Sequence, residues 1–138
     1  MKIADVMTKN PVILGEKSTV ADAIKKMETL DCGVLPIGDS KEIKGIVTDR
    51  DILLRTADHA KNLNEMPIAD IMTKNVIFCD EDAPLEQVVY KMNQNNVRRI
   101  LIRDKNQTVS GIVSLGDLIK RVGRKSLLAE LLKNTAVA

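Results

Sequence analysis

Apolar residues along this chain follow two rhythms, and the pair of rhythms occurs twice. From Thr19 to Leu30 the apolar positions 20, 23, 24, 27 and 30 recur at the spacing of one helix face, with Ser18 or Thr19 placed to cap it. Short apolar runs surround that helix: PVIL at 11–14, VLPI at 34–37 and IKGIV at 43–47. The polar segments GEKS and GDSKE bound them, which predicts strands separated by turns. A second helix is predicted to start near Asp49. The later half repeats the order, with VIFC at 76–79, RILI at 99–102, DKNQT, VSGIV at 109–113 and a helix from near Leu115. Val20, Ala23, Ile24 and Met27 match Leu85, Val88, Val89 and Met92, and Pro84 stands at an early helical position. The predicted plan is β-α-β-β-α, twice.

The repetition extends to an octamer. IADVMTKN at 3–10 returns as IADIMTKN at 68–75, and GIVTDRDIL at 45–53 returns as GIVSLGDLI at 111–119. The chain divides on this basis into repeat 1 (1–60), repeat 2 (61–123) and a C-terminal helical tail (124–138). A unit of about 55 residues buries too little surface to be secure alone. The doubling is therefore expected to pack the two repeats sheet to sheet about a pseudo-two-fold axis. In the tail, Gly123 ends one helix and Ser126 can cap another carrying Leu127, Leu128, Leu131 and Leu132. That face is expected to pack on its own module or on a twin chain.

Composition narrows the functional classes. With 44% hydrophobic and 29% charged residues the chain reads as a soluble globular protein, and no stretch approaches a membrane span. MKIADVMTK has no apolar core of a signal peptide, so a cytoplasmic location and no membrane partner are expected. The net charge of +2 is dispersed, and aromatics amount to Tyr90 and Phe78, which argues against nucleic-acid binding. Cys32, Cys79 and His59 are too few for a zinc site, so no metal and no catalytic residue is expected. The cysteines read as free buried thiols and His59 as a solvated surface residue.

The set DVMTKNPV and DIMTKNVI, GVLPI and RRILI, GIVTDRDIL and GIVSLGDLI resembles a tandem pair of CBS domains, a Bateman module, over residues 3–122. The resemblance implies an α+β fold of two β-α-β-β-α repeats. It also implies a non-enzymatic regulatory module that binds AMP, ADP or ATP in clefts between the repeats. No cofactor beyond that regulatory ligand, a homodimer and a separate, unidentified effector protein follow from it.

Candidate ligand residues come from three patterns. Thr48-x-x-Asp51 and Ser114-x-x-Asp117 sit at strand-to-helix junctions. Read locally, each is either a helix capping box or a ribose site, since a carboxylate there can accept from ribose hydroxyls. The resemblance places Asp51 and Asp117 on ribose, with Thr48 and Ser114 beside ribose or phosphate. Arg98 and Arg99 open a predicted strand, where successive residues point to opposite faces. They are either solvated arginines or a phosphate fork, and the resemblance favours the fork. Repeat 1 carries Gly33 and Val34 at the matching positions, so unequal sites are expected. The pseudo-symmetry that the resemblance implies sets Thr48 and Asp51 with Arg98 and Arg99, and Ser114 and Asp117 with Gly33 and Val34 and no base. An adenine slot is expected from Pro11, Val12, Ile13, Leu35, Pro36, Val76, Ile77, Phe78 and Leu101. The rival reading is a scaffold module with vestigial or S-adenosylmethionine-type clefts. A small nucleotide hydrolase is the other rival, although no glycine-rich phosphate loop of the Walker type appears.

Overall fold

Among the described residues a hydroxyl residue opens three of the five α-helices, and each time the cap is reciprocal. Thr19 Oγ1 accepts the Asp22 amide while Asp22 accepts the Thr19 amide, starting α1 (Val20–Leu30). Those bonds, the backbone one first, hold the Asp22 carboxyl below its usual range. Thr48 caps α2 (Asp49–Thr56) and Ser114 caps α4 (Leu115–Val122) in the same way. Pro84 is the residue before α3 (Leu85–Gln94), with extended backbone. Helix α5 (Arg124–Thr135) begins directly after Gly123, whose φ of 89° is the left-handed turn that glycine permits. Ser126 therefore lies inside α5 rather than capping it.

The structure is a computed structural model that describes residues 2–57 and 62–135, with side chains to Ala129. His59 lies outside the described residues, as do the side chains of Leu131 and Leu132. The strands are β1 (Thr8–Lys9), β2 (Val34–Gly38), β3 (Ile43–Thr48), β4 (Phe78–Asp80), β5 (Arg99–Arg103) and β6 (Val109–Ser114). The architecture is α+β, as the pattern predicts. PVIL departs from prediction: only Leu14 joins a ladder, through an isolated bridge to Ile37.

The chain forms two compact units, Met1–Pro11 with Ile77–Ala138 (the C unit) and Val12–Val76 (the N unit). In the C unit the sheet order is β1-β6-β5-β4, antiparallel except for the parallel β4–β5 pair. In the N unit β2 and β3 pair antiparallel. A parallel bridge from Leu14 to Ile37 and an antiparallel bridge from Ile46 to Thr73 extend the ladder at either side, reproducing the same order in fewer bonds.

These units are not the sequence repeats. The division at 60/61 leaves each octamer with the repeat it leads, whereas the compact units are cut at Pro11 and Val76. The first octamer folds into the C unit: Ile3 is fully buried there with Val6 and Met7, and the Ile3 amide donates to Ala83 O at 3.0 Å. The second folds into the N unit, burying Ile68 and Ile71, with the Ile68 amide donating to Ser18 O at 2.8 Å. Each octamer crosses a glycine on the neighbouring strand. A Cβ on Gly45 would lie 2.8 Å from Thr73 O, and one on Gly111 would lie 2.8 Å from Met7 Cγ.

Each core lies between its ladder and its helices. Ile100, Ile102, Val113 and Leu118 join Leu85, Val88 and Met92 in the C unit, and Leu127 of α5 adds to them while Leu128 stays exposed. Leu35, Ile37, Val47 and Ile52 join Val20, Ala23 and Met27 in the N unit. Cys79 is buried and Cys32 half-buried, both free. Burial pushes the Cys79 thiol up from its usual value.

Candidate functional site

The two T/S-x-x-D segments fold into the same object, a strand running into a helix with an acid at the third helical position. In the N unit Thr48 Oγ1 accepts the Asp51 amide at 3.0 Å, and Asp51 Oδ2 accepts the Thr48 amide at 3.0 Å. Thr73 of the second octamer reaches Asp51 Oδ2 at 3.5 Å. Arg55 lies one helical turn on, with Nη2 3.5 Å from Asp51 Oδ1 and Nη1 donating to Ile71 O at 2.6 Å. The Asp51 side chain keeps 18% exposure, so one edge of its carboxylate still meets solvent.

The C unit repeats the capping box but redirects the arginine. Asp117 donates its amide to Ser114 Oγ at 3.0 Å and accepts the Ser114 amide on Oδ2 at 3.3 Å. Arg121 turns to the first octamer instead, donating to Val6 O at 2.6 Å and Thr8 Oγ1 at 3.2 Å. Among the described residues, Asp117 Oδ1 has neither a hydrogen bond nor an ion pair. The sequence reading missed Arg55, Arg121 and Thr73. The signal was present: an arginine follows each capping acid by four residues, and Thr73 stands at the same place in its octamer as Thr8.

Arg98 and Arg99 both belong to the C unit, and they diverge. Arg99 opens β5 and pairs across the ladder with Ser114. Arg98 precedes the strand, accepts the Leu115 amide on its carbonyl at 2.9 Å, and is exposed. Its side chain borders a groove of about 940 Å³ floored by Val89, Met92, Val97 and Leu115. Gly33 and Val34 hold the matching places in the N unit, where Gly33 O accepts the Asp49 amide at 3.0 Å and Val34 pairs with Thr48.

The nine adenine-slot candidates divide between the units. Val12, Ile13, Leu35, Pro36 and Val76 lie in the N unit, where Leu35 is packed into the core and Pro36 O accepts the Leu14 amide. Pro11, Ile77, Phe78 and Leu101 lie in the C unit, where the Leu101 amide donates to Ile77 O at 3.0 Å and Leu101 is buried. One face of the Phe78 ring is covered by the Arg103 guanidinium, 4.2 Å from the centroid. Among the described residues no three His, Cys, Asp or Glu side chains are grouped to hold a metal ion, and no helix is long and apolar enough to cross a membrane.

Two strand-to-helix junctions with capping acids, each in an α/β unit of the same order, define a duplicated domain. The CBS domain family model matches residues 3–58 and again 68–124, and the chain belongs to that family. The protein YlbB of Bacillus subtilis is 37% identical over 119 residues, covering 85% of this chain and 79% of YlbB. The CBS domain pair of protein MJ0100, in complex with 5′-methylthioadenosine and S-adenosyl-L-methionine, is 30% identical with a TM-score of 0.77, over 91% of this chain and 98% of that one. The CBS domain protein PAE2072 from Pyrobaculum aerophilum, complexed with AMP, has a TM-score of 0.79 over 96% of this chain and 99% of its own. At 24% identity it speaks to the fold alone.

Proposed function

We propose that this chain is a non-catalytic regulatory module that binds an adenine nucleotide, AMP, ADP or ATP, and passes its presence to a separate protein, acting as a cytoplasmic homodimer. The observation that carries the reading is the twice-built capping acid. Asp51 and Asp117 each engage Oδ2 with a backbone amide, which fixes the carboxylate; Oδ1 of Asp117 is left to accept from ribose hydroxyls, and Oδ1 of Asp51 faces them beside Arg55 Nη2 at 3.5 Å. Thr48 and Ser114 hold those carboxylates in place. Arg98 and Arg99 supply the positive charge for phosphate, and the slot residues supply apolar surface for the base. The relative that holds 5′-methylthioadenosine and S-adenosyl-L-methionine supports a second ligand class, adenosyl compounds without phosphate.

A thermal-shift panel of AMP, ADP, ATP, S-adenosylmethionine, methylthioadenosine and NAD tests the reading. A ligand at 100 times its Kd adds about 2.7 kcal/mol of stability. Asp51→Ala weakens every ribose-bearing ligand, whereas Arg98→Ala with Arg99→Ala weakens AMP far more than adenosine. Silence across the whole panel would leave a scaffold as the better account.

A further inference from the structure

We infer that Asp49 is a specificity-determining residue: its carboxylate occupies the anion position of the α2 N-terminus, so the Thr48–Asp51 junction accepts a ribose but turns phosphate away from the helix end. The inference rests on the adenosine-binding reading above. A helix N-terminus attracts anions because its first amides lack intrahelical partners and carry partial positive charge. In α2 the first three amides are already satisfied. Asp49 N donates to Gly33 O at 3.0 Å, Arg50 N to Asp49 Oδ1 at 2.8 Å, and Asp51 N to Thr48 Oγ1 at 3.0 Å. A built-in carboxylate thus holds the place a phosphate would need, and a second anion there meets like charge.

Gly33 makes that placement possible. A Cβ on residue 33 would stand 2.8 Å from Asp49 Oδ2, so a side chain there would push the carboxylate aside. The equivalent pair in the C unit is Arg98 and Leu115, a base and an apolar residue in place of a glycine and an acid. At α4 the Leu115 and Asp117 amides are satisfied as in α2, but the Gly116 amide has no acceptor among the described residues. Gly33 and Asp49 against Arg98 and Leu115 therefore exchange an acid for a base beside the helix end, while the exposed Arg50 of the N unit is answered by Gly116.

Asp49→Asn isolates the charge, because the Asn oxygen still accepts the Arg50 amide. Calorimetric titration of the full chain with AMP and with adenosine is the measurement. The AMP-to-adenosine affinity ratio is expected to rise roughly fivefold in the variant, the size of one screened like-charge contact, and to rise less at high salt. Gly33→Ala displaces the carboxylate and should shift the ratio the same way by less. An unchanged ratio in Asp49→Asn, with both compounds still binding, overturns the inference and leaves the parent reading standing. So does a ratio that falls on Arg50→Ala while ignoring Asp49→Asn, since the exposed Arg50 would then be reading phosphate at that terminus. Failure of both compounds to bind any form of the protein removes the parent reading, and this inference with it.

Discussion

The N and C units share one grammar and differ in what they do with their charges. In both, a hydroxyl caps a helix, an acid answers it, an arginine follows one turn later, and an octamer closes the sheet edge. In the N unit that arginine, Arg55, lies beside Asp51, and a second acid, Asp49, closes the helix end. In the C unit Arg121 leaves Asp117 for the octamer, and Arg98 and Leu115 replace Gly33 and Asp49. A duplicated scaffold thus keeps its caps, which stability requires, while its electrostatics drift apart. The two junctions are copies in backbone and differ in where their charges stand.

The equivalent core residues Ile52 and Leu118 offer the strongest test of this parity. Leu118 is fully enclosed and Ile52 keeps 9% exposure, so Leu118→Ala should cost about 3–4 kcal/mol and Ile52→Ala about 2 kcal/mol in denaturant unfolding. Equal losses would mean that the two cores are packed alike despite their different ladders.

The two octamer-contacting glycines come next. A methyl on Gly45 meets the Thr73 carbonyl oxygen as well as the Met72 side chain, whereas the three atoms nearest a methyl on Gly111 all belong to the flexible Met7 side chain. Gly45→Ala is expected to destabilise by about 2–3 kcal/mol and Gly111→Ala by about 1 kcal/mol. The second loss should shrink further when Met7 is shortened to Ala, and the first should not respond to Met7 at all. A reversed order would put the rigid contact in the other unit.

The arginines have smaller effects. Arg121→Ala removes two bonds to the first octamer and should cost about 1 kcal/mol. Arg55→Ala removes one bond to Ile71 O and a partly exposed pairing with Asp51, and should cost less. Its distinguishing effect is on binding: it frees Asp51 Oδ1 and should strengthen adenosine binding, measured by the same calorimetry.

The cysteines give the smallest and simplest contrast. Cys32 is half-buried, and its thiol donates to Val34 O at 3.6 Å, whereas Cys79 is buried with its pKa raised by desolvation. Iodoacetamide in mild alkali should label Cys32 first, with Cys79 protected until the chain unfolds. A raised folded pKa leaves stability intact below the ordinary thiol range. As pH climbs past that range the unfolded thiol ionises first, so stability falls. Prompt labelling of Cys79 in the native protein would contradict its burial.

Much of this molecule was readable from local pattern. Helix starts, strand pairs and both capping boxes involve residues within a few positions of one another, where periodicity and hydroxyl–acid spacing carry the information. Arg55 and Arg121 were equally local to Asp51 and Asp117, yet spacing could not say which arginine would face its acid. The destination of the octamers was beyond reach, because the Arg121–Val6 bond joins positions 115 residues apart. The divergence of Arg98 and Arg99 was half legible. Alternation predicts opposite faces, but only the helix-side groove around Val89, Met92 and Leu115 tells where Arg98 goes.

What the amino-acid order determined by itself was a duplicated β-α-β-β-α plan with an acid poised at each second helix, since caps and amphipathic faces depend on near neighbours. Which octamer closes which unit was decided by tertiary packing alone. So was the close approach of the Asp49 carboxylate to Gly33 at the start of α2. These outcomes depend on long-range burial and close approach, and no local spacing encodes which distant surface an apolar segment or a charge will meet.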